Sequence, residues 1–243
     1  MSAPASPAYW LYQSFWTGLD WLFPPQCGGC GEHGTRWCTS CHVNTPTLSP
    51  PVCNHCGQSL KTAGVCAGCL SSPPGYTALR SWGVFAGPLR KALHRLKYNR
   101  DIALGDVLAR PLIRILGEMD WRVDLVAPVP LSVARLAERG YNQASLLARP
   151  LALAAGLPYQ PRALIKTRET PSQVGLSIEQ RRGNVKGAFK AIPDLVCRRN
   201  VLVIDDVATS GATFEACAQA LFEAGANQVY GLTLARAVHG DRP

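Results

Sequence analysis

The chain has 243 residues and a mass of 26.2 kDa, enough for one large domain or two unequal ones. Its 47% hydrophobic and 17% charged residues are typical of a folded protein and exclude wholesale disorder. No apolar run reaches the roughly 18 to 20 residues of a membrane span, which argues against a transmembrane protein. Residues 1–23 contain no Lys or Arg and so lack the basic start of a secretory signal. We therefore expect a cytoplasmic protein.

The formal net charge of +9 lies in the C-terminal part of the sequence. Residues 1–78 hold only Arg36 and Lys61 against Asp20 and Glu32, so this part is neutral. A basic balance favours phosphate-bearing partners, either a small sugar phosphate or a nucleic-acid backbone, and charge alone does not separate the two.

The first segment, residues 1–23, has the pattern of an amphipathic helix. Its apolar residues recur at helical spacing, and Pro24 and Pro25 end the pattern. The segment lacks the Lys and Arg face of interfacial helices, so we expect it to pack on the body of the protein rather than on a membrane surface or a partner. The residues that form the pattern are Trp10, Phe15, Trp16, Leu19, Leu22 and Phe23.

Residues 24–72 contain eight cysteines in four C-x-x-C pairs, which predict a double zinc ribbon. Two residues between thiolates let a tight turn present both sulfurs to one ion, and two pairs complete a tetrahedral site for Zn²⁺. Four pairs therefore predict two structural zinc sites and leave open which pairs share an ion. A disulfide framework and an iron–sulfur cluster are the less favoured alternatives. The pairs are Cys27/Cys30, Cys38/Cys41, Cys53/Cys56 and Cys66/Cys69, while the neighbouring His33, His42 and His55 are not expected to be ligands.

Residues 78–243, which follow a turn-rich linker, alternate between strand and helix patterns. Such alternation implies parallel pairing, and we predict an α/β fold with a doubly wound, mainly parallel sheet. The predicted strands are Arg80–Phe85, Asp124–Val129, Ala163–Lys166, Val201–Ile204 and Gln228–Leu234, and the predicted helices run from Leu89 to Leu96, Ile102 to Leu116, Asn142 to Ala155 and Thr213 to Ala224.

The strongest chemical motif runs from Val201 to Thr213, where an apolar strand leads into two acids and then into a hydroxyl-rich turn that opens a helix. At the carboxyl end of a parallel strand, the following helix presents free backbone N–H groups and its positive dipole end to an anion. Thr209 and Ser210 add hydroxyl donors, and Gly211 lets the backbone approach closely. The turn therefore predicts a phosphate site.

The acids Asp205 and Asp206 directly precede that turn. They would repel a phosphate unless they bind neighbouring sugar hydroxyls or help to organise a divalent cation. A ribose 5-phosphate ligand offers both a phosphate for the turn and sugar hydroxyls for the two acids.

This motif resembles the phosphoribosyl pyrophosphate (PRPP) motif of the type I phosphoribosyltransferases over all of its thirteen residues. The resemblance implies that Asp205 and Asp206 hold the ribose hydroxyls, that residues 209–213 cradle the 5′-phosphate, and that Mg²⁺ accompanies PRPP. Purine-salvage members carry an acid for the purine base where this chain has Thr209, so oxopurine salvage is disfavoured.

Further blocks are similar to the ComF-like competence proteins, which join a cysteine-rich zinc domain to a phosphoribosyltransferase domain. The similarity covers nearly the whole chain and implies a role in DNA uptake during natural transformation. Besides the cysteine pairs, the similarity rests on Leu96-Lys97-Tyr98, Pro128-Val129-Pro130 with Arg135, Arg139 to Gln143, and Arg168 to Phe189 with Gln173, Arg181, Asn184 and Gly187.

The resemblance implies that two of these blocks add candidate ligands for pyrophosphate, since relatives bind it after the corresponding strand. The turn after Val129 lies at a strand's carboxyl end, and Arg135 and Arg139 share one face if that segment is helical, although a solvated basic face is the alternative. Residues 168–188 show no regular helix or strand periodicity, and we expect either a loop that closes over the site or an ordinary surface loop. The predicted PRPP-binding set is Val129, Pro130, Arg135, Arg139, Arg181, Asp205, Asp206, Val207, Ala208, Thr209, Ser210, Gly211, Ala212 and Thr213, of which Asp205 and Asp206 are the catalytic candidates.

Two functions fit this sequence. In the first, the chain binds PRPP with Mg²⁺ and transfers phosphoribosyl to a nitrogen acceptor. In the second, the same pocket of a non-enzymatic adaptor binds a nucleotide or single-stranded DNA, while the zinc ribbons dock proteins of the DNA-uptake machinery. A base-reading group would separate the two, and the sequence does not identify one.

Overall fold

The computed structural model describes residues 6–170 and 183–237. The helices are α1 (Pro7–Leu22), α2 (Thr39–Val43), α3 (Ala67–Ser71), α4 (Gly87–Tyr98), α5 (Leu104–Glu118), α6 (Val133–Arg139), α7 (Gln143–Ala155), α8 (Pro193–Val196) and α9 (Ala212–Glu223). The strands are β1 (Ala78–Val84), β2 (Leu125–Pro128), β3 (Leu164–Lys166), β4 (Phe189–Ala191), β5 (Asn200–Ala208) and β6 (Gln228–Arg236).

The central sheet has four parallel strands in the order β1-β6-β5-β2. In its register, Asp205 of β5 lies beside Thr233 of β6, and Ala208 lies beside Arg236. Because all four strands run the same way, their carboxyl ends meet at one edge, where ligands bind in open α/β sheets. The predicted phosphate turn after β5 therefore emerges at that edge.

Strand β5 is buried on both faces, which explains its continuous apolar run. Val201 and Val203 point into a core completed by α9 and the β3-β4 hairpin, with Phe214 at its centre. Leu202 and Ile204 point into a second core, formed mainly by leucines of α4, α5 and α7. Helices thus cover both faces, and the predicted doubly wound, mainly parallel fold class is confirmed.

The third predicted strand, however, lies outside the parallel sheet. Strand β3 pairs antiparallel with β4, with Leu164 opposite Ala191. Only three residues long, β3 carries too little pattern to indicate its partner, and β4 was not predicted from the sequence. The other predicted strands and helices are all present, with ends shifted by a few residues.

The N-terminal helix forms at Pro7–Leu22, with Ser6 as its N-cap, but it packs differently from the expectation. None of its residues is buried. It joins the body on one side through polar contacts and half-buried aromatic residues such as Tyr12 and Trp16, whereas large apolar side chains on the other side face solvent. The predicted packing therefore holds for one side of the helix only. Within the described residues, no helix is long and apolar enough to cross a membrane.

Candidate functional site

The eight clustered cysteines form two groups of four that are contiguous in sequence. Cys27, Cys30, Cys38 and Cys41 form the first group, and Cys53, Cys56, Cys66 and Cys69 the second; within each, all Sγ atoms lie within 4.8 Å of one another. Sγ–Sγ distances of 3.6 Å (Cys27–Cys38) and 3.7 Å (Cys30–Cys38, Cys56–Cys66) match the ~3.8 Å expected for sulfurs about 2.3 Å from a tetrahedral zinc ion. The groups fit two structural Zn²⁺ ions and settle the pairing that the sequence left open.

Backbone N–H groups stabilise the thiolates that zinc requires. The amides of Cys38 and Cys66 donate to the Sγ atoms of Cys27 and Cys53 over 3.4 and 3.3 Å. Burial opposes ionisation of these thiols, yet the backbone donors prevail and lower the pKa of both Cys27 and Cys53 to about 6. No histidine of the described residues belongs to either group, as the sequence predicted.

Both zinc groups are held against the α/β domain through the carbonyls of their own residues. Arg95 of α4 donates to the Cys27 carbonyl over 3.0 Å, and the buried Arg236 of β6 donates to the Cys56 carbonyl over 2.5 Å. The Leu79 amide of β1 also donates to the His55 carbonyl over 2.7 Å. The second zinc group is therefore fixed directly to the edge of the sheet where Arg236 ends β6.

A cavity of about 450 Å³ separates the second zinc group from the phosphate turn. Ser210 lies here, and its Oγ accepts a 3.4 Å hydrogen bond from the Ala212 amide. Gly211 has φ = +82°, and a Cβ on it would come within 3.0 Å of the Tyr76 hydroxyl. Glu215 of α9 accepts hydrogen bonds from the Gly75 amide, which fixes the linker beneath this turn. The left-handed backbone and the close approach of Tyr76 together explain the requirement for glycine.

A larger cavity, of about 930 Å³, opens on the other side of the turn, along the carboxyl edge of the sheet. Its volume falls within the roughly 300–1,000 Å³ of small-molecule sites. Most of the predicted PRPP-binding residues line it: Val129, Pro130, Arg135, Asp205, Asp206, Val207, Ala208, Thr209, Gly211, Ala212 and Thr213. Ser210 faces the smaller cavity instead, and Arg181 lies outside the described residues.

The two adjacent acids at the end of β5 differ in their partners. The carboxylate of Asp206 is buried and forms an ion pair with Lys97 of α4, while Asp205 accepts a 2.8 Å hydrogen bond from the Asp206 amide. Loss of bulk water, together with the negative charge of Asp206, raises the pKa of Asp205 well above its ordinary value, and Lys97 opposes that rise. Asp205 is thus a half-buried carboxyl group whose ionised form is disfavoured in the ligand-free protein.

Lys97 stays charged despite its own burial. Burial alone would lower its pKa, but the charge of Asp206 and their hydrogen bond outweigh that effect and raise the pKa. The ammonium group therefore partly compensates the two acids.

Two further cations, Lys166 and Arg135, line the same cavity. Lys166 of β3 donates to the Thr170 hydroxyl over 2.8 Å and lies close to Arg135 of α6. Burial, followed by repulsion from Arg135, lowers the pKa of Lys166, with Glu169 opposing this effect. Two cations that repel each other at the wall of a cavity favour an anionic ligand.

Arg139 does not line the cavity, although it shares α6 with Arg135. Its guanidinium donates to the Gln143 side chain and lies 5.5 Å from the centre of the Tyr98 ring. Gln143 and Tyr98 are themselves cavity residues. Arg139 therefore contacts the residues that line the wall, rather than the space predicted for pyrophosphate.

The other residues of the block from Arg139 to Gln143 hold separate elements together. Gly140 ends α6 in the left-handed conformation, and the Tyr141 hydroxyl donates to the Leu96 carbonyl over 2.6 Å. Asn142 accepts from the Ala144 amide as the N-cap of α7, and its amide group donates to the Val129 carbonyl over 2.9 Å. The block thus positions both the end of α4, which carries Lys97, and the turn after β2.

The structure describes both ends of residues 168–188, the segment predicted to close over the site. Arg168 donates to the carbonyls of Asn184 and Lys186 over 3.0 and 2.8 Å, so the two described ends of this segment are joined. Thr170 and Val185 line the larger cavity. Residues 171–182, which include Gln173, lie outside the described residues, and a closing role stays a prediction.

Sequence reasoning gave no role to Lys97 or Lys166. Lys97 was noted only within a short motif. Two adjacent acids after a buried strand need a cation nearby, and that requirement could have indicated a lysine or arginine at the site. Lys166 carried no such signal, because its place at the cavity depends on the hairpin between β3 and β4.

We predict that the chain binds two equivalents of Zn²⁺ in the observed pairing, measurable by metal analysis of protein purified without chelator. Cys27→Ser with Cys38→Ser should remove one equivalent, because both ligands belong to the first group. Cys53→Ser with Cys66→Ser is the matched variant of the second group. Loss of both ions from either double variant would show that the groups share ligands.

We predict that Lys97→Met lowers the free energy of unfolding by about 2 to 4 kcal/mol, because it leaves the buried Asp206 carboxylate without its partner. Lys97→Met with Asp206→Asn should recover most of this loss. Urea unfolding of the zinc-loaded protein is the measurement, and Lys91→Met, at an exposed position of α4, is the control. Equal midpoints for Lys97→Met and the parent chain would contradict the ion pair.

A comparison with protein families agrees with the N-terminal part of this geometry. Residues 18–70 match the double zinc ribbon domain family. A solved structure of glutamine PRPP amidotransferase from B. subtilis aligns with 58% of this chain and 26% of its own at 25% identity, but its TM-score of 0.35 is too low to establish a common fold.

Three curated relatives align over most of the chain. DNA utilization protein YhgH of Escherichia coli K12 is 32% identical over 221 residues, covering 87% of this chain and 94% of that protein. Competence protein F of Haemophilus influenzae is 30% identical over 208 residues, covering 82% and 90%. Competence protein ComFC of Bacillus subtilis is 26% identical over 211 residues, covering 82% and 83%. Given this identity over nearly the full length of the relatives, the chain belongs to the ComF-like family of competence proteins.

Proposed function

We propose that the chain binds PRPP with Mg²⁺ in the 930 Å³ cavity and transfers its phosphoribosyl group to a nitrogen acceptor, in the cytoplasm and in the service of DNA uptake. The observation that carries this proposal is the half-buried Asp205 carboxyl group, whose pKa is raised, in one cavity with the turn after β5 and with the cations Arg135 and Lys166. The names of the relatives, two competence proteins and one DNA utilization protein, support the biological setting.

Each feature of the cavity matches one part of PRPP. The turn from Thr209 to Thr213, with the N-terminal end of α9, suits the 5′-phosphate, because backbone N–H groups and the helix dipole favour an anion there. Asp205 and Asp206 suit the ribose hydroxyls, which can donate hydrogen bonds to carboxylates. Arg135 and Lys166 suit the pyrophosphate on the far side of the ribose.

These residues also suit the chemistry of transfer. Departure of pyrophosphate leaves positive charge at the anomeric carbon of the ribose, and the carboxylates of Asp205 and Asp206 would stabilise that charge. Mg²⁺ bound with the pyrophosphate would neutralise part of the leaving charge. The cations opposite would hold the departing group, while a nitrogen nucleophile forms the new C–N bond and releases its proton.

We predict that Asp205→Asn stabilises the ligand-free protein and abolishes its response to PRPP. The pKa of Asp205 is raised in the folded state, so its carboxylate opposes folding once the pH exceeds the pKa of the unfolded chain, and the amide removes that penalty. In the parent chain, PRPP at about a hundredfold excess over its Kd should stabilise the fold by about 2.7 kcal/mol.

Thermal unfolding at neutral pH, with and without PRPP and Mg²⁺, measures both effects. Asp120→Asn, at an exposed position, is the control and should change neither. An Asp205→Asn protein that still responds to PRPP would contradict the ribose assignment. Pyrophosphate release in the presence of a panel of nucleobases then tests the transfer step separately.

A second candidate function is nucleotide or single-stranded DNA binding by a non-enzymatic adaptor, and the rim of the cavity favours it. Arg90, Lys91, His94 and the 64% exposed Tyr98 line this rim on α4, and the rings of His94 and Tyr98 lie 4.7 Å apart. Cations next to an exposed aromatic ring are the usual elements of a single-strand site. In this function the zinc ribbons would dock proteins of the DNA-uptake machinery.

We predict that this rim, rather than the neutral zinc region, governs any DNA affinity. Arg90→Gln with Lys91→Gln should weaken binding of a fluorescent oligonucleotide severalfold and reduce its salt dependence, because fewer counterions are released. Lys61→Gln, in the zinc region, is the control. Equal losses in the two variants would refute the rim as the DNA site, and DNA binding without pyrophosphate release would favour the adaptor.

A further inference from the structure

The smaller cavity, between the second zinc group and the turn after β5, contains two buried polar side chains with unused hydrogen-bonding capacity. Tyr76 is 5% exposed, and no other residue that the structure describes forms a hydrogen bond with its hydroxyl group. Arg236 is 6% exposed and donates one N–H to the Cys56 carbonyl, but no carboxylate of the described residues pairs with its guanidinium. Buried donors of this kind require an acceptor. The two side chains therefore indicate that this cavity has a ligand.

The charges around the smaller cavity disfavour an anionic ligand. Four thiolates outweigh the charge of one Zn²⁺ ion, so the loaded second zinc group stays anionic, and three of its cysteines line the cavity. Glu215 of α9 lines it as well. A further phosphate would lie against these negative charges. The cavity therefore favours a neutral molecule that accepts hydrogen bonds from Arg236 and Tyr76.

The size and the other lining residues of the smaller cavity suit a flat ring. Its volume of about 450 Å³ lies in the lower part of the roughly 300–1,000 Å³ range of small-molecule sites. Pro74 and Ala237 supply apolar contacts, and the Ser59 hydroxyl supplies an acceptor for a ring N–H. A nitrogen heterocycle with a ring carbonyl matches this lining, because its carbonyl accepts from Arg236 and Tyr76 while its N–H donates.

The smaller cavity also lies next to the space proposed for the ribose. In the sheet register, Ala208 of β5 lies beside Arg236 of β6, and these residues line the larger and the smaller cavity respectively. Neighbouring strands are only about 4.8 Å apart. Thr209, the next residue after β5, lines both cavities. The two cavities are therefore neighbours along the carboxyl edge of the sheet.

We propose that the smaller cavity binds the nitrogen acceptor, and that this acceptor is a neutral nitrogen heterocycle with a ring carbonyl, the class of the pyrimidine bases. The assignment rests on the proposed phosphoribosyl transfer. In that reaction the ring nitrogen forms a bond to the anomeric carbon, and the bond from this carbon to pyrophosphate breaks with its electron pair on the leaving oxygen. The proton of the ring nitrogen passes to the released pyrophosphate. Arg236 and Tyr76 are then the base-reading groups that the sequence did not identify.

Saturation-transfer NMR of the full, zinc-loaded chain with uracil tests this proposal. The titration is done with and without ribose 5-phosphate, which would occupy the larger cavity but has no pyrophosphate to lose. We expect uracil to bind, and adenine, which has no ring carbonyl, to bind severalfold more weakly. Tyr76→Phe should weaken uracil binding about three- to tenfold, because it removes one hydrogen bond and keeps the ring. Tyr230→Phe, half-buried near the start of β6, is the matched control.

A substitution that fills the smaller cavity provides a second test. Gly68 of α3 lines this cavity, and a Cβ on it would meet the Cys66 Sγ only at 4.0 Å. Gly68→Leu should therefore fold, abolish uracil binding and leave the PRPP response intact, because Gly68 does not line the larger cavity. Gly117→Leu, at an exposed helical glycine of α5, is the control.

The outcomes separate this proposal from the proposed function. Absence of uracil binding under both conditions, or uracil binding that survives Tyr76→Phe and Gly68→Leu, would overturn the acceptor site even if PRPP binds. Inorganic phosphate that binds more tightly than uracil, and is weakened by Tyr76→Phe, would also overturn it, because the cavity would then be an anion site. Uracil binding in a chain that does not respond to PRPP would support the binding site and refute the transfer.

Discussion

The candidate site depends on one electrostatic constraint, which is the placement of two adjacent carboxylates at the end of a strand buried on both faces. Asp206 is tolerated because the ammonium group of Lys97 pairs with it, while Asp205 has only partial compensation. Lys97 can reach Asp206 because the Tyr141 hydroxyl holds the last turn of α4 through the Leu96 carbonyl. The unfavourable state of Asp205 persists because the surrounding sheet and helices fix its position.

The zinc ribbons contact the α/β domain directly beside the candidate site. Arg236 ends the strand next to β5 and donates to the carbonyl of the zinc-ligand residue Cys56, while Tyr76 touches the phosphate turn at Gly211. The smaller cavity between them is lined by both units. Zinc binding would supply folding free energy to a region with so small a core, and it would therefore also support the turn after β5.

The sequence was sufficient wherever a local pattern determines structure. The C-x-x-C pairs, the two-sided burial of β5 and the turn after it were all predicted, because their chemistry is contiguous in the chain. Lys97 and Lys166 were missed as site residues, since tertiary contacts between distant elements bring them to the cavity. The packing of α1 was predicted only in part for a similar reason. Trp16 is half-buried as expected, but Trp10 and Phe15 face outward, because Gln13 on the inward side contacts the buried Asp106 of α5.

The distribution of charge in the ligand-free cavity favours a ligand with anionic groups at both ends. Arg135 and Lys166 line the cavity and repel each other, and the start of α9 presents its positive dipole end to the same cavity. Asp205 also lines it, and because its pKa is raised it favours hydrogen-bond donors over another anion. A single phosphate would relieve only one wall, and a neutral sugar would relieve only the carboxyl group. A ribose with a phosphate on one side and a pyrophosphate on the other would satisfy all three, and this supports the proposal of PRPP over a nucleoside monophosphate.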